Sequence, residues 1–104
     1  MKRLQGKYIV ITGASQGLGR ELAIRYAREG AAGLSLTARN ADAPNEVRER
    51  IREISPDTRV VTTAADLSRQ EEIERVIATA LDAFAGRIDV LVNNASALGP
   101  TPMP

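Results

Sequence analysis

The sequence predicts an α/β fold in which a doubly wound parallel sheet is covered by helices on both faces. Short runs of β-branched and aliphatic residues alternate with longer segments of helical periodicity, in the order βαβαβαβ. The strand-like runs are apolar throughout, as in strands that are buried on both faces. The 104 residues are 43% hydrophobic and 26% charged, which is the composition of one soluble globular domain.

The first half of the pattern begins with a β-branched run at residues 8–12, which predicts a buried strand. The helix that follows carries Leu18 and Leu22 at four-residue spacing on its apolar face. Gly30 is a helix stop, because glycine adopts the left-handed conformation that closes a helix. Residues 34–38 form the second predicted strand.

A second helix is predicted to open at Pro44, since proline is favoured in the first turn of a helix. Val47 and Ile51 lie on one face of this helix, and Pro56 ends it. Residues 60–64 are the third predicted strand.

The third helix has the clearest sequence signal. Ser68 with Glu71 forms a capping box, which predicts the helix start. Gly86 ends the helix and residues 90–93 form the fourth strand. One apolar stripe runs along this third helix: Ile73, Val76, Ile77, Ala80, Leu81 and Phe84. Right-handed crossovers then favour a single strand order, 3-2-1-4.

Composition excludes several classes of function. The chain has no cysteine and no histidine, which removes disulfide scaffolds, Cys/His zinc sites and Ser-His-Asp triads within it, and we assign no metal site. The net charge is +1, so there is no general electrostatic case for nucleic acid or an anionic membrane. We see no signal peptide or membrane-spanning segment, and expect a cytoplasmic protein.

Three glycines, Gly13, Gly17 and Gly19, lie between the first strand and the first helix. Gly13 permits a sharp turn, Gly17 allows a ligand to approach the backbone, and Gly19 allows the helix to pack on the strand. The amino end of the helix would stabilise an anion such as a pyrophosphate.

Two other interpretations of this loop are weaker. A turn without a ligand does not need three glycines in seven residues. A P-loop has four residues between its glycines, followed by Lys and then Ser or Thr. Here five residues separate Gly13 from Gly19, and Arg20-Glu21 follow, so we reject the P-loop.

The spacing G-x-x-x-G-x-G after a threonine resembles the short-chain dehydrogenase/reductase family, and two further motifs agree with it. The resemblance implies that the chain is the cofactor-binding, amino-terminal part of such an enzyme, a single NAD(P)-binding domain of the Rossmann type over residues 1–104. Ser96 stands where the family often has glycine. The matching segments are Thr12-Gly13-Ala14-Ser15-Gln16-Gly17-Leu18-Gly19, Asp66-Leu67 and Asn93-Asn94-Ala95.

The resemblance also implies roles for the second and third motifs. Asp66 and Leu67 would border the adenine ring, with Asp66 hydrogen-bonded to its amino group. Asn93 would stabilise the central sheet, while Asn94 and Ala95 would pass close to the ribose and phosphate side of the cofactor. A turn or helix-capping acid is the alternative reading of Asp66, and a simple turn is that of the paired Asn.

The residue that distinguishes NAD from NADP lies at the end of the second strand. Ala38 occupies the position of the acid that would bind the ribose of NAD, and Arg39 follows it, 20 residues after Gly19. A guanidinium binds a phosphate through two parallel hydrogen bonds, and Ser15 could add a hydroxyl. The sequence therefore favours NADP(H) over NAD(H). Two alternatives are a solvated Arg39 and a loop that brings Asp42 to the ribose.

No catalytic residue is assigned within the chain. The resemblance implies a Ser and a Tyr-x-x-x-Lys pair, but Thr12 follows Tyr8 at that spacing and Gly30 follows Tyr26. Both tyrosines lie on apolar elements and are predicted to be core residues. We therefore expect the catalytic residues after residue 104, a chain truncated before its catalytic half, and a 104-residue chain that is inactive alone.

The expected partners are NADP(H) and a small-molecule carbonyl or alcohol, in a parent protein that is a homo-oligomer. Nucleic acid and membrane are not expected partners. Two other functions stay open at this stage. One is a non-catalytic dinucleotide-binding module or NADP(H) sensor, and the other is a purely structural α/β interaction domain.

Overall fold

A computed structural model describes residues 3–13 and 17–93. The predicted order βαβαβαβ is confirmed, and the four strands form one parallel sheet in the predicted order 3-2-1-4. The elements are β1 (Tyr8–Thr12), α1 (Gly17–Arg28), β2 (Gly33–Ala38), α2 (Asp42–Ile54), β3 (Arg59–Ala64), α3 (Gln70–Ala83) and β4 (Val90–Asn93).

The start of α2 lies two residues earlier than the sequence predicts. The helix begins at Asp42, whose backbone N–H donates a hydrogen bond of 2.7 Å to the side-chain oxygen of Asn40. Pro44 therefore lies in the first turn rather than at its opening. Its missing N–H costs nothing there, because the first N–H groups of a helix have no partner within the helix.

The capping box predicted for α3 is wrong. The helix begins at Gln70 and no side chain caps it at Arg69. The backbone N–H and the hydroxyl of Ser68 instead donate to one carboxylate oxygen of Asp66, at 3.0 and 2.7 Å. Asp66 thus forms a tight turn before the helix, and Ser68 belongs to that turn.

Two apolar layers cover the sheet, one on each face. Val10, Val76, Ala80 and Phe84 form the layer beneath α3. Leu18 is not part of either layer, against the prediction, since its side chain is 64% exposed at the start of α1. The layer beneath α1 and α2 contains Ile9, Ile11, Ala23, Ala27, Leu34, Leu36, Val47 and Ile51.

Burial falls off from the centre of the sheet to β4. All six residues of β2 are buried, as expected for a strand covered on both faces, whereas three of the four residues of β4 are exposed. Within the part of the chain that the structure describes, β4 pairs only with β1. The apolar side chains of β4 are therefore only partly covered by the elements that the structure describes.

Gly33 lies beneath an aromatic pair at the start of β2, and we expect Gly33→Ala to destabilise the fold. The rings of Tyr8 and Phe84 have centroids 4.9 Å apart. A Cβ on residue 33 would lie 2.6 Å from the Phe84 ring and 2.7 Å from the Tyr8 ring. Overpacking of this kind costs about 1–3 kcal/mol, to be measured by urea unfolding.

Ser35→Ala is the matched control for this variant. Ser35 lies on the same strand, is fully buried, and its hydroxyl has no hydrogen-bond partner among the described residues. Removing that hydroxyl adds no volume and leaves no partner unsatisfied, so we expect little loss of stability. Equal stability of Gly33→Ala and Ser35→Ala would contradict the steric argument.

Candidate functional site

The candidate site lies along one edge of the sheet, where the carboxyl ends of all four strands meet. Thr12 at the end of β1 pairs in register with Asn93 of β4, and Ala38 of β2 pairs with Ala64 of β3. α1 and α2 cover one face of the sheet and α3 the other, so the strand order reverses between β1 and β4. In open α/β sheets, ligands bind in the crevice at such a reversal.

Thr12 and Asn93 are joined across this crevice. The Thr12 hydroxyl donates to the side-chain oxygen of Asn93 at 3.0 Å, and lies 3.4 Å from the Val92 carbonyl. Thr12 is buried, while Asn93 is exposed at the sheet edge. Because the Asn93 oxygen accepts from Thr12, its amide N–H groups are left to donate elsewhere.

The chain leaves β1 through glycines in left-handed conformations. Gly13 has φ +72° and its N–H donates to the Thr37 carbonyl at 2.7 Å, while Gly17, the first residue of α1, has φ +50°. Glycine adopts such angles without the steric cost that a Cβ adds. Among the described residues, apart from its chain neighbours and the backbone of its own helix, no atom lies within 4 Å of the position of a Cβ on Gly17. Gly19 is buried.

The amino end of α1, which follows the carboxyl end of β1 along the chain, carries the positive end of the helix dipole. No acidic residue lies in the first turn, and Leu18 is exposed beside it. An anion placed at this helix end would be stabilised by the first N–H groups of the helix and by the dipole. Four predicted site residues lie outside the described residues: Ser15, Gln16, Asn94 and Ala95.

Arg39 and Asp66 face each other beyond the ends of β2 and β3. A guanidinium nitrogen of Arg39 lies 3.9 Å from the Asp66 carboxylate, and the two side chains are 77% and 43% exposed. Ala38, directly before Arg39, is buried. The hydrogen bonds from the Ser68 hydroxyl and N–H lower the pKa of Asp66, with smaller contributions from Arg39 and Arg69. Asp66 is therefore a carboxylate at neutral pH.

Asp42, the alternative ribose acid, is not in a loop. It is the exposed first residue of α2, with its N–H bonded to Asn40. The alternative in which a flexible loop brings Asp42 to the ribose therefore does not agree with the structure, where Asp42 lies in a helix.

A cleft of about 180 Å³ opens between α3 and β4 beside the crevice. The sequence places Ile73 and Ile77 on one apolar stripe of α3, but Ile73 is exposed and both residues line this cleft. Their proximity in sequence to Asp66 and Leu67 is the one signal that could have placed them near the site. The lining consists of Thr12, Leu67, Ile73, Val76, Ile77, Leu91 and Asn93.

Residues 3–13 and 17–93 contain neither a cluster of metal-binding side chains nor a membrane-spanning helix. No group of three or more Asp or Glu side chains could hold a metal ion there. None of the helices described is long and apolar enough to cross a membrane.

Comparison with protein families identifies the relatives of this chain. A family model described as short chain dehydrogenase matches residues 7–104. The chain belongs to the short-chain dehydrogenase/reductase family. Family members are oxidoreductases that bind a nicotinamide dinucleotide and a small-molecule substrate. The glycines, Arg39 and Asp66 lie at the sheet edge where open α/β sheets bind their ligands.

Individual members of the short-chain dehydrogenase/reductase family resemble the chain closely. The 11-beta-hydroxysteroid dehydrogenase A of Sesamum indicum is 48% identical over 91 residues, which are 86% of this chain and 25% of that protein. The apo structure of a glucose dehydrogenase from Caenorhabditis elegans has a TM-score of 0.80 at 35% identity, over 90% of this chain and 39% of that one. An NAD+-bound xylitol dehydrogenase has a TM-score of 0.78 at 27% identity, over 86% and 33%.

The chain spans about a quarter of the length of the first two curated relatives, 25% and 26%. It corresponds to the part of a short-chain dehydrogenase/reductase that binds the cofactor.

Proposed function

We propose that this chain is the NADP(H)-binding part of a short-chain dehydrogenase/reductase that transfers hydride between NADP(H) and a small carbonyl or alcohol. The observation that carries the choice of NADP(H) is Arg39, which extends into solvent at the end of β2 while the buried Ala38 replaces an acid. A carboxylate at that position would repel the 2′-phosphate of NADP, and a guanidinium would bind it.

The glycine turn fits the pyrophosphate of a dinucleotide. The left-handed Gly13 and Gly17 lead into a helix end with no acidic residue in its first turn. Within residues 3–13 and 17–93, no atom outside its chain neighbours and the backbone of α1 lies within 4 Å of a Cβ position on Gly17, which supports a close approach of a phosphate to the backbone. We propose that Gly19 and the neighbouring Ser15 and Gln16 complete this part of the site.

The remaining predicted residues fit the two ends of the cofactor. We propose that Asp66 and Leu67 bind the adenine, with Asp66 accepting a hydrogen bond from its amino group. Thr12 and Asn93 would hold the ends of β1 and β4 together at the floor of the crevice. Asn94 and Ala95 would border the ribose and phosphate side of the cofactor. Leu18, exposed at the helix start, would contact the cofactor rather than the core.

The contact between Arg39 and Asp66 does not oppose phosphate binding. Both side chains are largely exposed and their charged atoms are 3.9 Å apart. Exposed pairs of this kind contribute little, about 0–1 kcal/mol in general. A phosphate offers two acceptor oxygens to the guanidinium fork, so it readily replaces Asp66 as the partner.

The bound dinucleotide would supply the hydride, and the residues of this chain bind and orient it. Tyr8 and Tyr26 pack against the two apolar layers, which supports the proposal that neither is the catalytic tyrosine. We propose that the catalytic Ser, Tyr and Lys lie outside these 104 residues and that the chain alone is inactive.

Residues 1–104 are proposed to be part of one Rossmann-type domain that is longer in the parent protein. Support comes from the length of the relatives and from the exposed Leu91 beside the cleft. A right-handed crossover from β4 to a strand on its other side would place a helix over that cleft. The cytoplasmic location and the homo-oligomeric state of the parent are also proposals, and only the second comes from the resemblance to the family.

Titration of the natural full-length protein with NADPH and NADH tests the proposal. We expect NADPH to bind more tightly, because only NADPH carries the phosphate that Arg39 would bind. Tighter binding of NADH would overturn the cofactor preference, and binding of neither would overturn the function. Cofactor binding without oxidation of NADPH by any of a panel of aldehydes and ketones would instead favour a sensor.

A further inference from the structure

Two side chains of α3, Glu72 and Arg75, hydrogen-bond to the backbone of the turn between β3 and α3. Glu72 accepts a hydrogen bond from the backbone N–H of Asp66, at 3.4 Å. Arg75 donates one to the carbonyl of Ala64, the last residue of β3, at 2.6 Å. The two contacts hold the backbone at Asp66 and at Ala64, two residues before it.

Glu72 and Arg75 also bind each other in a fork. The Nε and Nη2 atoms of Arg75 each lie 3.0 Å from a different carboxylate oxygen of Glu72. The hydrogen bonds from Arg75 lower the pKa of Glu72, so both groups are charged at neutral pH. A bidentate Arg–carboxylate pair has a defined geometry, unlike a single contact between two mobile side chains.

The neighbouring pair of Arg69 and Glu71 lacks this connection. Its closest atoms are 2.6 Å apart, and both hydrogen bonds of the pair run between the two side chains. Each side chain is 63% exposed, whereas that of Glu72 is 28% exposed. The Glu72–Arg75 pair therefore bridges two backbone groups of the turn, and the adjacent pair of equal charge serves as an internal comparison.

We propose that Glu72 and Arg75 are positioning residues for the cofactor, which fix the turn that presents Asp66 and Leu67 to the adenine. This inference rests on the proposed function. By this proposal the two side chains act through Ala64 and the Asp66 backbone, and not through contact with the cofactor. Because adenine is common to NADPH and NADH, replacing Glu72 or Arg75 should weaken the binding of both dinucleotides by the same factor.

The test uses the natural full-length protein and the two halves of the cofactor. Adenosine 2′,5′-bisphosphate reports on the adenine side, and reduced nicotinamide mononucleotide on the other. We expect Glu72→Gln and Arg75→Ala to bind the bisphosphate about 5-fold more weakly, because each variant loses a hydrogen bond to a charged group. Binding of the mononucleotide should not change, and neither should kcat at saturating NADPH.

Two variants serve as controls. Arg75→Lys keeps a charged donor for Ala64 but not the fork, so it should recover part of the lost affinity. Glu71→Gln removes the same charge one residue earlier, and its bisphosphate affinity should stay within about 2-fold of wild type.

The outcomes separate this inference from the proposed function. Wild-type bisphosphate affinity in Glu72→Gln and Arg75→Ala, with dinucleotide binding intact in the parent, would overturn the positioning role alone. Equal weakening of both cofactor halves would also overturn it, since that result indicates general destabilisation. A wild-type protein that binds neither dinucleotide would overturn the proposed function and this role with it.

Discussion

Replacing Arg39 with alanine should lower the affinity for NADPH about 10- to 100-fold, because hydrogen bonds between charged groups are lost. The affinity for NADH should change little, since NADH offers the guanidinium no phosphate at that position. Arg39 extends from the end of β2 with its side chain 77% exposed, so its removal leaves no cavity in the core. The measurement is a calorimetric titration of the full-length protein with each dinucleotide.

Arg39→Lys separates charge from geometry at this position. Lysine keeps the positive charge but cannot form two parallel hydrogen bonds to one phosphate. We therefore expect an NADPH affinity between those of the wild type and Arg39→Ala. The contact with Asp66 has little influence on the result, since it is a single exposed pair at 3.9 Å.

Arg87→Ala is the matched control for the loss of charge. Arg87 lies just before β4, at the opposite end of the sheet, where it pairs with Asp89 at 3.2 Å. Its removal changes the net charge equally and should leave the ratio of NADPH to NADH affinity unchanged. If Arg39→Ala weakened NADH as much as NADPH, the assignment of Arg39 to the 2′-phosphate would be refuted.

Phe84→Ala should cause the largest loss of stability, about 3–5 kcal/mol, as is typical when a buried phenylalanine is truncated. Phe84 directly follows α3, is 2% exposed, and packs beneath this helix with Val10, Val76 and Ala80. Its ring also contacts Tyr8 at the start of β1. A loss of this size is a large fraction of the stability of an ordinary domain, about 5–15 kcal/mol.

Urea unfolding of the full-length protein measures this effect, with Phe84→Leu as the control. Leucine fills most of the space, so we expect a loss of no more than about half that of alanine. Phe84 contacts Tyr8 at the end of the sheet remote from the site, so the NADPH affinity of the folded variant should match the wild type. Equal unfolding midpoints for Phe84→Ala and the wild type would show that the α3 layer is not a cooperative part of the core.

The order of elements and the strand order could be predicted from the sequence, because both follow from local patterns. The apolar runs and helical periodicities mark the seven elements, and right-handed crossovers leave one arrangement of the strands. The left-handed turn at Gly13 was similarly predictable, since glycine there has a local conformational reason. The motif spacing also predicted the family, which the match over residues 7–104 confirms.

Only the tertiary structure decided how the side chains of different elements meet. The hydrogen bond between Thr12 and Asn93 joins residues 81 positions apart, and no local pattern specifies it. The predicted capping box failed because α3 begins at Gln70 and because the Ser68 N–H, which the box would pair with the Glu71 carboxylate, donates to the Asp66 carboxylate instead. Leu18 matches the helical spacing, but the buried face of α1 consists of Gly19, Ala23 and Ala27, so the side chain of Leu18 is turned away from the sheet and is exposed. Sequence periodicity thus determined which faces are apolar, whereas the extent of each packed surface and the charge pairs at its edge depend on atoms brought together only by folding.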